Sequence, residues 1–328
     1  MRMVFIRKGT KAMKANSASP ALKKSKGVNY GTASTVQLWS MCIIPMFFVF
    51  MFSYMPMAGI VLAFKDFKYA LGIFGSPWVG LENFKIFLLS NDFAEVAWNT
   101  VSLNLIFMFV ATVCQVAVGI LLYEVRSRRA TKVYQTLMIT PHFVSWVIAG
   151  YMVYAFLNPQ QGLMNTILGN FGIDPINWYG EPGYWPIILS ICYVWKGIGI
   201  NSVIYYAALM GVDSALFEAA EIDGANKFQV AWHIILPQLL SIIVMLQILG
   251  IGSIFRADFG LFYNVPRNVG ALYEVTDVMD TWIFRCMREI GDMSVSSAAG
   301  LIQSIVGFAM VMLTNAITKK IDPDRALF

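Results

Sequence analysis

Glu218-Ala-Ala-Glu-Ile-Asp-Gly224, followed nine residues later by Ile234-Ile-Leu236-Pro237, sits in a short polar break between two long apolar runs. A break this short joins neighbouring elements, so what the flanking runs are decides the fold. The break itself reads as a brief helix. Asp213 or Ser214 can cap its start, residues 215–222 are mostly good helix formers, and Asp223-Gly224 ends it, with Gly224 able to take the left-handed conformation that stops a helix. Such a helix is about two turns long. Ala219 and Ala220 leave part of it bare for close approach by another surface, and Glu218 and Glu221 offer charge to a basic partner. Pro237 falls near the start of the next run, where a missing amide donor matters little.

The flanking runs define the class. The chain is 58% apolar and 13% charged, and six stretches, 39–64, 96–123, 133–157, 186–210, 231–255 and 295–317, are each long enough to cross about 30 Å of hydrocarbon as helix. A closed barrel requires alternating strands of about ten residues, whereas these runs are continuous and rich in Leu, Ile, Met and Phe. The expectation is an all-α membrane protein with six spans. Basic residues concentrate before the first span (Arg2 to Lys26), between the second and third (Arg126, Arg128, Arg129, Lys132) and at the end (Lys319, Lys320, Arg325). All three segments fall on one side, which the retention of Lys and Arg marks as cytoplasmic. The chain then divides into a basic cytoplasmic tail 1–38, a permeation domain 39–318 and a cytoplasmic tail 319–328. Within the domain, 213–237 is cytoplasmic and 256–294 extracytoplasmic. The basic tail is read as contact with anionic headgroups and a topology determinant, with no nucleic-acid role. The first apolar run spans a full bilayer without a following small-residue cleavage site, so it is expected to be retained. Cys42, Cys114, Cys192 and Cys286 show no metal-ligand spacing.

The segment resembles the EAA signature of binding-protein-dependent ABC importers, in which Glu-Ala-Ala is followed by Gly four positions after the second Ala and then by Ile-x-Leu-Pro. Glu218, Ala219, Ala220, Gly224, Ile234, Leu236 and Pro237 all match. Trp195-Lys-Gly197, Ala207-Ala-Leu209 and Asp223-Gly-Ala225 look like the carbohydrate-uptake branch. The segments Gly75-Ser-Pro-Trp-Val-Gly-Leu-Glu-Asn-Phe84, Asp277-Val-Met-Asp-Thr-Trp-Ile-Phe-Arg285 and Gly291-Asp-Met-Ser294 look like the subgroup that imports oligosaccharides and polysaccharide fragments.

The resemblance implies the type I importer permease fold in a prokaryotic cell membrane. It also implies a second permease, two cytoplasmic ATPase subunits, an extracytoplasmic solute-binding protein and an oligosaccharide substrate. ATPase coupling would fall to Glu218, Ala219, Ala220, Asp223, Gly224, Ile234, Leu236 and Pro237. The chain lacks a Gly-x-x-x-x-Gly-Lys-Ser/Thr loop, so ATP and Mg are expected on partner subunits and no cofactor on this chain. Peptide or amino-acid permeases share the signature and stand as the alternative. A proton-coupled carrier would more often place acids inside its spans, and a membrane enzyme would need a metal or nucleophile motif around His142 or His233; neither feature is present.

Candidate pathway residues are Lys196, the one charge well inside a predicted span, with Asn201 and Tyr205 beyond it, and the amides Asn104, Gln247 and Gln303. The amides read equally well as bridges between helices, and Lys196 as a side chain reaching for the interface. Ser296, Gly300, Ser304 and Gly307 form a small-residue stripe suited to close helix packing. Residues 267–292 carry apolar positions at helical spacing, including Leu272, Val275, Met279, Trp282 and Cys286. They are expected either to lie flat on the outer membrane face or to cover the bundle.

Overall fold

A computed structural model describes residues 32–321, so the basic tail up to position 31 and the chain from 322 onward lie outside the described residues. The described chain is almost wholly helical; its one β feature is an isolated antiparallel bridge between Lys65 and Trp78. It falls into two units, 1–57 and 58–328. The first holds the helix Thr32–Val49 and a π turn, Phe50–Tyr54.

Five helices are long and apolar enough to cross a membrane: Gln37–Phe64, Asn91–Glu124, Pro182–Leu209, Lys227–Gly252 and Met293–Lys320. They correspond to the first, second, fourth, fifth and sixth expected spans. The third differs. Instead of one helix over 133–157, it is a pair, Arg128–Phe143 and Trp146–Leu157, bent by 96°. Local chemistry explains the break. Pro141 has no amide donor, and the chain around it tightens into a 3₁₀ turn, Thr140–Phe143, before it leaves the helix. Val144 and Ser145 are extended, and the Ser145 hydroxyl accepts from the Ile148 amide at 3.3 Å to start the second helix.

Two π turns precede prolines in the same way: Phe50–Tyr54 before Pro56 and Ala231–Ile235 before Pro237. A proline ring clashes with the carbonyl four residues back, and one extra residue in the turn relieves the clash without ending the helix.

The fourth span is packed closely on both sides by glycine. A methyl group on Gly119 would stand 2.9 Å from the Tyr205 Cβ, which brings the second span against the fourth. One on Gly199 would stand 2.0 Å from the Met138 carbonyl oxygen, so the fourth span also meets the first half of the broken pair backbone to backbone. Buried Val116, Tyr205, Leu209, Ile235 and Leu239 form one apolar cluster, and Leu103, Phe107, Trp185, Leu189, Leu261 and Phe262 belong to a second.

At 34 residues the second span is about 51 Å long, well beyond the hydrocarbon thickness of about 30 Å. Its first turns meet the segment that follows the fifth span. Asn99 donates to the carbonyls of Glu274 (2.9 Å) and Asp277 (3.2 Å), and the Thr100 hydroxyl accepts from the Met279 amide at 2.9 Å. The short helices Phe259–Asn264, Tyr273–Thr276 and Met279–Arg285 therefore sit on the bundle as a cap. Leu272, Met279, Trp282 and Cys286 are buried, and Val275 is partly buried against the second cluster. Within this cap Arg285 pairs with the buried Asp277 and stacks 4.0 Å over the Tyr273 ring.

Candidate functional site

The Glu218 helix runs Ser214–Ile222. The Asp213 carboxylate accepts from the Ala215 amide at 3.0 Å, capping the start. At the other end Gly224 has φ +75°, its amide reaches the Glu221 carbonyl at 3.1 Å, and the Ala225 amide reaches the Ala220 carbonyl at 2.9 Å. This pair of bonds is a Schellman stop, and glycine suits the left-handed position because no Cβ is in the way. Ala220 faces inward and is buried, whereas Glu218, Ala219 and Glu221 are exposed. Among the described residues neither Glu218 nor Glu221 has an ion-pair partner. Ile222 is 86% exposed beside them.

Two contacts tie this polar break to the second span, one from the helix and one from the turn of helix that follows its stop. The Phe217 ring lies 5.5 Å from that of Tyr123, and Lys227 pairs with Glu124 at 2.5 Å. Behind the Gly224 turn, Asp223, Gly224, Gln229, His233 and Ile234 line a notch of about 370 Å³. Pro237 stands in the first turn of the next helix, with Leu236 partly buried. The sequence reading missed the Asn226–Gln229 capping box, in which each side chain takes the other's backbone amide, at 2.9 and 2.8 Å. The Asn-x-x-Gln spacing was the available signal.

The expected pathway residues are divided by the structure. Lys196 donates to the Val144 carbonyl, left open by the break in the third span, and lies 4.7 Å over the Trp146 ring. The Trp146 indole donates to Asp258 at 2.7 Å. Lys196 is thus spent on holding a broken helix. Tyr205 is 1% exposed in the core and Asn201 lies beside Gln115 near Gly197, so the trio does not form one water-facing row. Asn104 bridges to the carbonyls of Ile254 (2.8 Å) and Arg256 (3.1 Å), where the fifth span ends. Gln303 reaches the Phe255 carbonyl (2.9 Å) and Asp280 (3.0 Å), and Asp280 also accepts from the Ala257 amide at 2.8 Å. Gln247 donates to Thr112 at 2.5 Å. Burial holds the Asp280 carboxyl above the usual carboxylate range, offset in part by those donors and by Arg256.

One arrangement does gather predicted residues. Between the fifth and sixth spans lies a groove of about 530 Å³ whose wall includes Arg256, Gln303, Ser304, Gly307 and Asn315. Gly300 and Gly307 have no neighbouring atom where a Cβ would stand, so the small-residue stripe is open within this chain, while Ser296 at its start is buried.

Residues 115–324 match the family described as the binding-protein-dependent transport system inner membrane component. The chain belongs to that family. Among relatives of the permease, the protein LplB of Bacillus subtilis is 33% identical over 311 residues, covering 93% of this chain and 96% of its own. The polygalacturonan/rhamnogalacturonan transport system permease protein YteP of the same organism is 35% identical over 270 residues, covering 82% and 84%. A solved bacterial ABC transporter involved in import of the acidic polysaccharide alginate contains a chain that superposes with a TM-score of 0.78 at 28% identity, covering 88% of this permease and 97% of that chain. The same transporter with an alginate pentasaccharide-bound periplasmic protein gives 0.77 at 27% identity, covering 88% and 96%. The permease therefore has the type I importer permease fold expected from its sequence.

Proposed function

We propose that this permease is one of two membrane halves of an ATP-driven importer of oligosaccharides. The observation that carries this reading is the Glu218 helix, a short element with Glu218 and Glu221 exposed and without an ion-pair partner among the described residues. It has the form of a handle for a second protein. The relatives' names support a carbohydrate cargo over peptides or amino acids, because they include a polygalacturonan permease and an alginate importer.

In this reading both termini and the Glu218 helix face the cytoplasm, where two ATPase subunits bind ATP and Mg and press on Glu218, Ala219 and Gly224. The cap over 256–292 faces outward toward a solute-binding protein. The groove between the fifth and sixth spans, with Gln303, Ser304 and Gly307, is this chain's wall of the pathway, and the second permease supplies the opposite wall. Closure of the ATPases moves the Glu218 helix, and its ties at Tyr123 and Glu124 carry the motion to the second span. Such a lever couples only if it is contacted differently in the two states.

Affinity purification of the tagged chain from native membranes tests the reading. A second permease and an ATPase are expected to come with it, and Glu218→Lys is expected to release the ATPase while the permease pair survives. Recovery of an active chain with neither partner overturns it.

A further inference from the structure

A smaller polar pocket of about 200 Å³ lies between the second helix of the broken third span and the first helix of the cap, with Tyr151, Asn264, Arg267 and Asn268 in its wall. Its walls are locked together. A methyl group on Gly150 would stand 2.4 Å from the Asn264 carbonyl oxygen, so the two helices meet backbone to backbone.

Arg267 and Asn268 are the two non-glycine residues with positive φ among the described residues, at 59° and 51°. Consecutive left-handed L-residues are disfavoured by the Cβ, and they persist only where the surroundings over-determine them. Here they are over-determined. Asn268 accepts from the Tyr273 hydroxyl at 3.0 Å and donates to Glu289 at 2.8 Å. The Val265 carbonyl just before them accepts from the Tyr179 hydroxyl at 3.4 Å.

The result of this strain is the placement of one guanidinium. Arg267 lies 4.0 Å over the Tyr154 ring and 5.6 Å from that of Tyr151. Among the described residues its N–H groups make no hydrogen bond. No carboxylate pairs with it among the described residues. An exposed arginine held between tyrosine rings with its donors unengaged by the described residues suits a planar bidentate anion, and the fork of Arg matches a carboxylate. Tyr151, largely exposed, offers an aromatic face at the same place.

We propose that this pocket is a subsite for a carboxylate-bearing sugar unit of the cargo, with Arg267 taking the carboxylate and Tyr151 the apolar face of the ring. The proposal rests on the oligosaccharide reading above and adds that the cargo is acidic. Pre-set stacking means that little side-chain freedom is lost when the anion arrives.

The test uses the intact assembly, purified through the tagged chain into discs of neutral phosphatidylcholine. Phenylglyoxal modifies accessible arginines, and mass spectrometry follows Arg267. A trisaccharide of uronic acids is expected to slow its modification about tenfold, the size of effect a charged hydrogen-bonded pair supplies. The carboxyl-reduced, neutral trisaccharide is expected to slow it less than about twofold, since no charged pair forms. In a direct binding measurement Arg267→Gln is expected to erase the preference for the acidic sugar, and Arg267→Lys to weaken it through loss of the fork. Equal protection by both sugars, no protection by the acidic one, or protection only when anionic phosphatidylglycerol replaces the neutral lipid overturns the subsite. The two levels separate cleanly: an assembly that retains its ATPase and second permease but shows no protection rejects the acidic subsite alone, whereas a chain that purifies without those partners rejects the importer reading.

Discussion

The Glu218 helix and the cap over 256–292 are both short helical insertions between membrane spans, yet they are built in opposite ways. The Glu218 helix satisfies its own backbone. Its cap, its stop and the following capping box are all bonds between residues within a few positions of each other. It rests on the bundle through buried Ala220 and the Phe217 ring, and just beyond its stop Lys227 adds one exposed ion pair, the kind worth about 1 kcal/mol or less. The cap depends on distant partners, Asn99 and Thr100 from the second span and Gln303 from the sixth, in addition to its own buried Asp277–Arg285 pair. A locally complete element can be moved as a rigid piece, whereas an element whose bonds run into the bundle cannot shift without breaking them. The same molecule thus carries a locally closed helix on one loop and a cover bonded into the bundle on another.

Three substitutions or conditions break or sharpen that contrast. The largest effect belongs to the cap. Arg285→Met leaves Asp277 buried and unpaired, and it is expected to destabilise the cap by about 3–5 kcal/mol. Hydrogen exchange across 256–292 should rise sharply while the Glu218 helix is unchanged, and adding Asp277→Asn should recover part of the loss. Equal loosening of both regions would show that they are one cooperative unit.

Next comes Gly224→Ala. Nothing stands where the new Cβ would go, so the effect is purely the left-handed backbone, about 1–2 kcal/mol. Protease sensitivity of the loop is expected to increase with no change in the cap, and ATP hydrolysis by the purified assembly should become less dependent on substrate.

The smallest effect is a pH drift. Burial raises Asp280, so its folded form holds a proton at pH values where the unfolded chain has lost it. Stability of the cap should therefore increase as pH falls from neutral toward the unfolded carboxylate range near 4, and the burial penalty should be fully expressed above the raised pKa. Exchange at Ala257 and Phe255, whose backbone groups belong to this network, should slow on acidification in the natural protein and lose that dependence in Asp280→Asn.

Legibility followed the same division. The Glu218 helix was readable to within a residue because every signal it uses is local: Asp213 before it, good helix formers within it, glycine after it. Five of the six spans were readable because hydropathy is a property of a window. The third was read as continuous although Pro141 and Ser145 lie inside it, since their combined effect depends on Lys196 arriving to take the Val144 carbonyl. Asn104, Gln247 and Gln303 were read as equally fit for substrate or for bridging, and the coordinates assign all three a partner within the chain.

Residue identity alone determined that this is a helical membrane permease of the binding-protein-dependent family, where its short Glu218 helix lies and that it carries no phosphate-loop motif. These follow from composition, periodicity and short spacings, which need no knowledge of what lies across the bundle. Tertiary structure decided which polar side chains are already occupied and which remain open. It bent the third span, set residues 256–292 on the bundle as a cover and left Arg267 beside two tyrosine rings with no ion-pair partner among the described residues. A polar group in an apolar medium must find a partner, and which partner it finds is a matter of distance between helices that sequence separation does not encode.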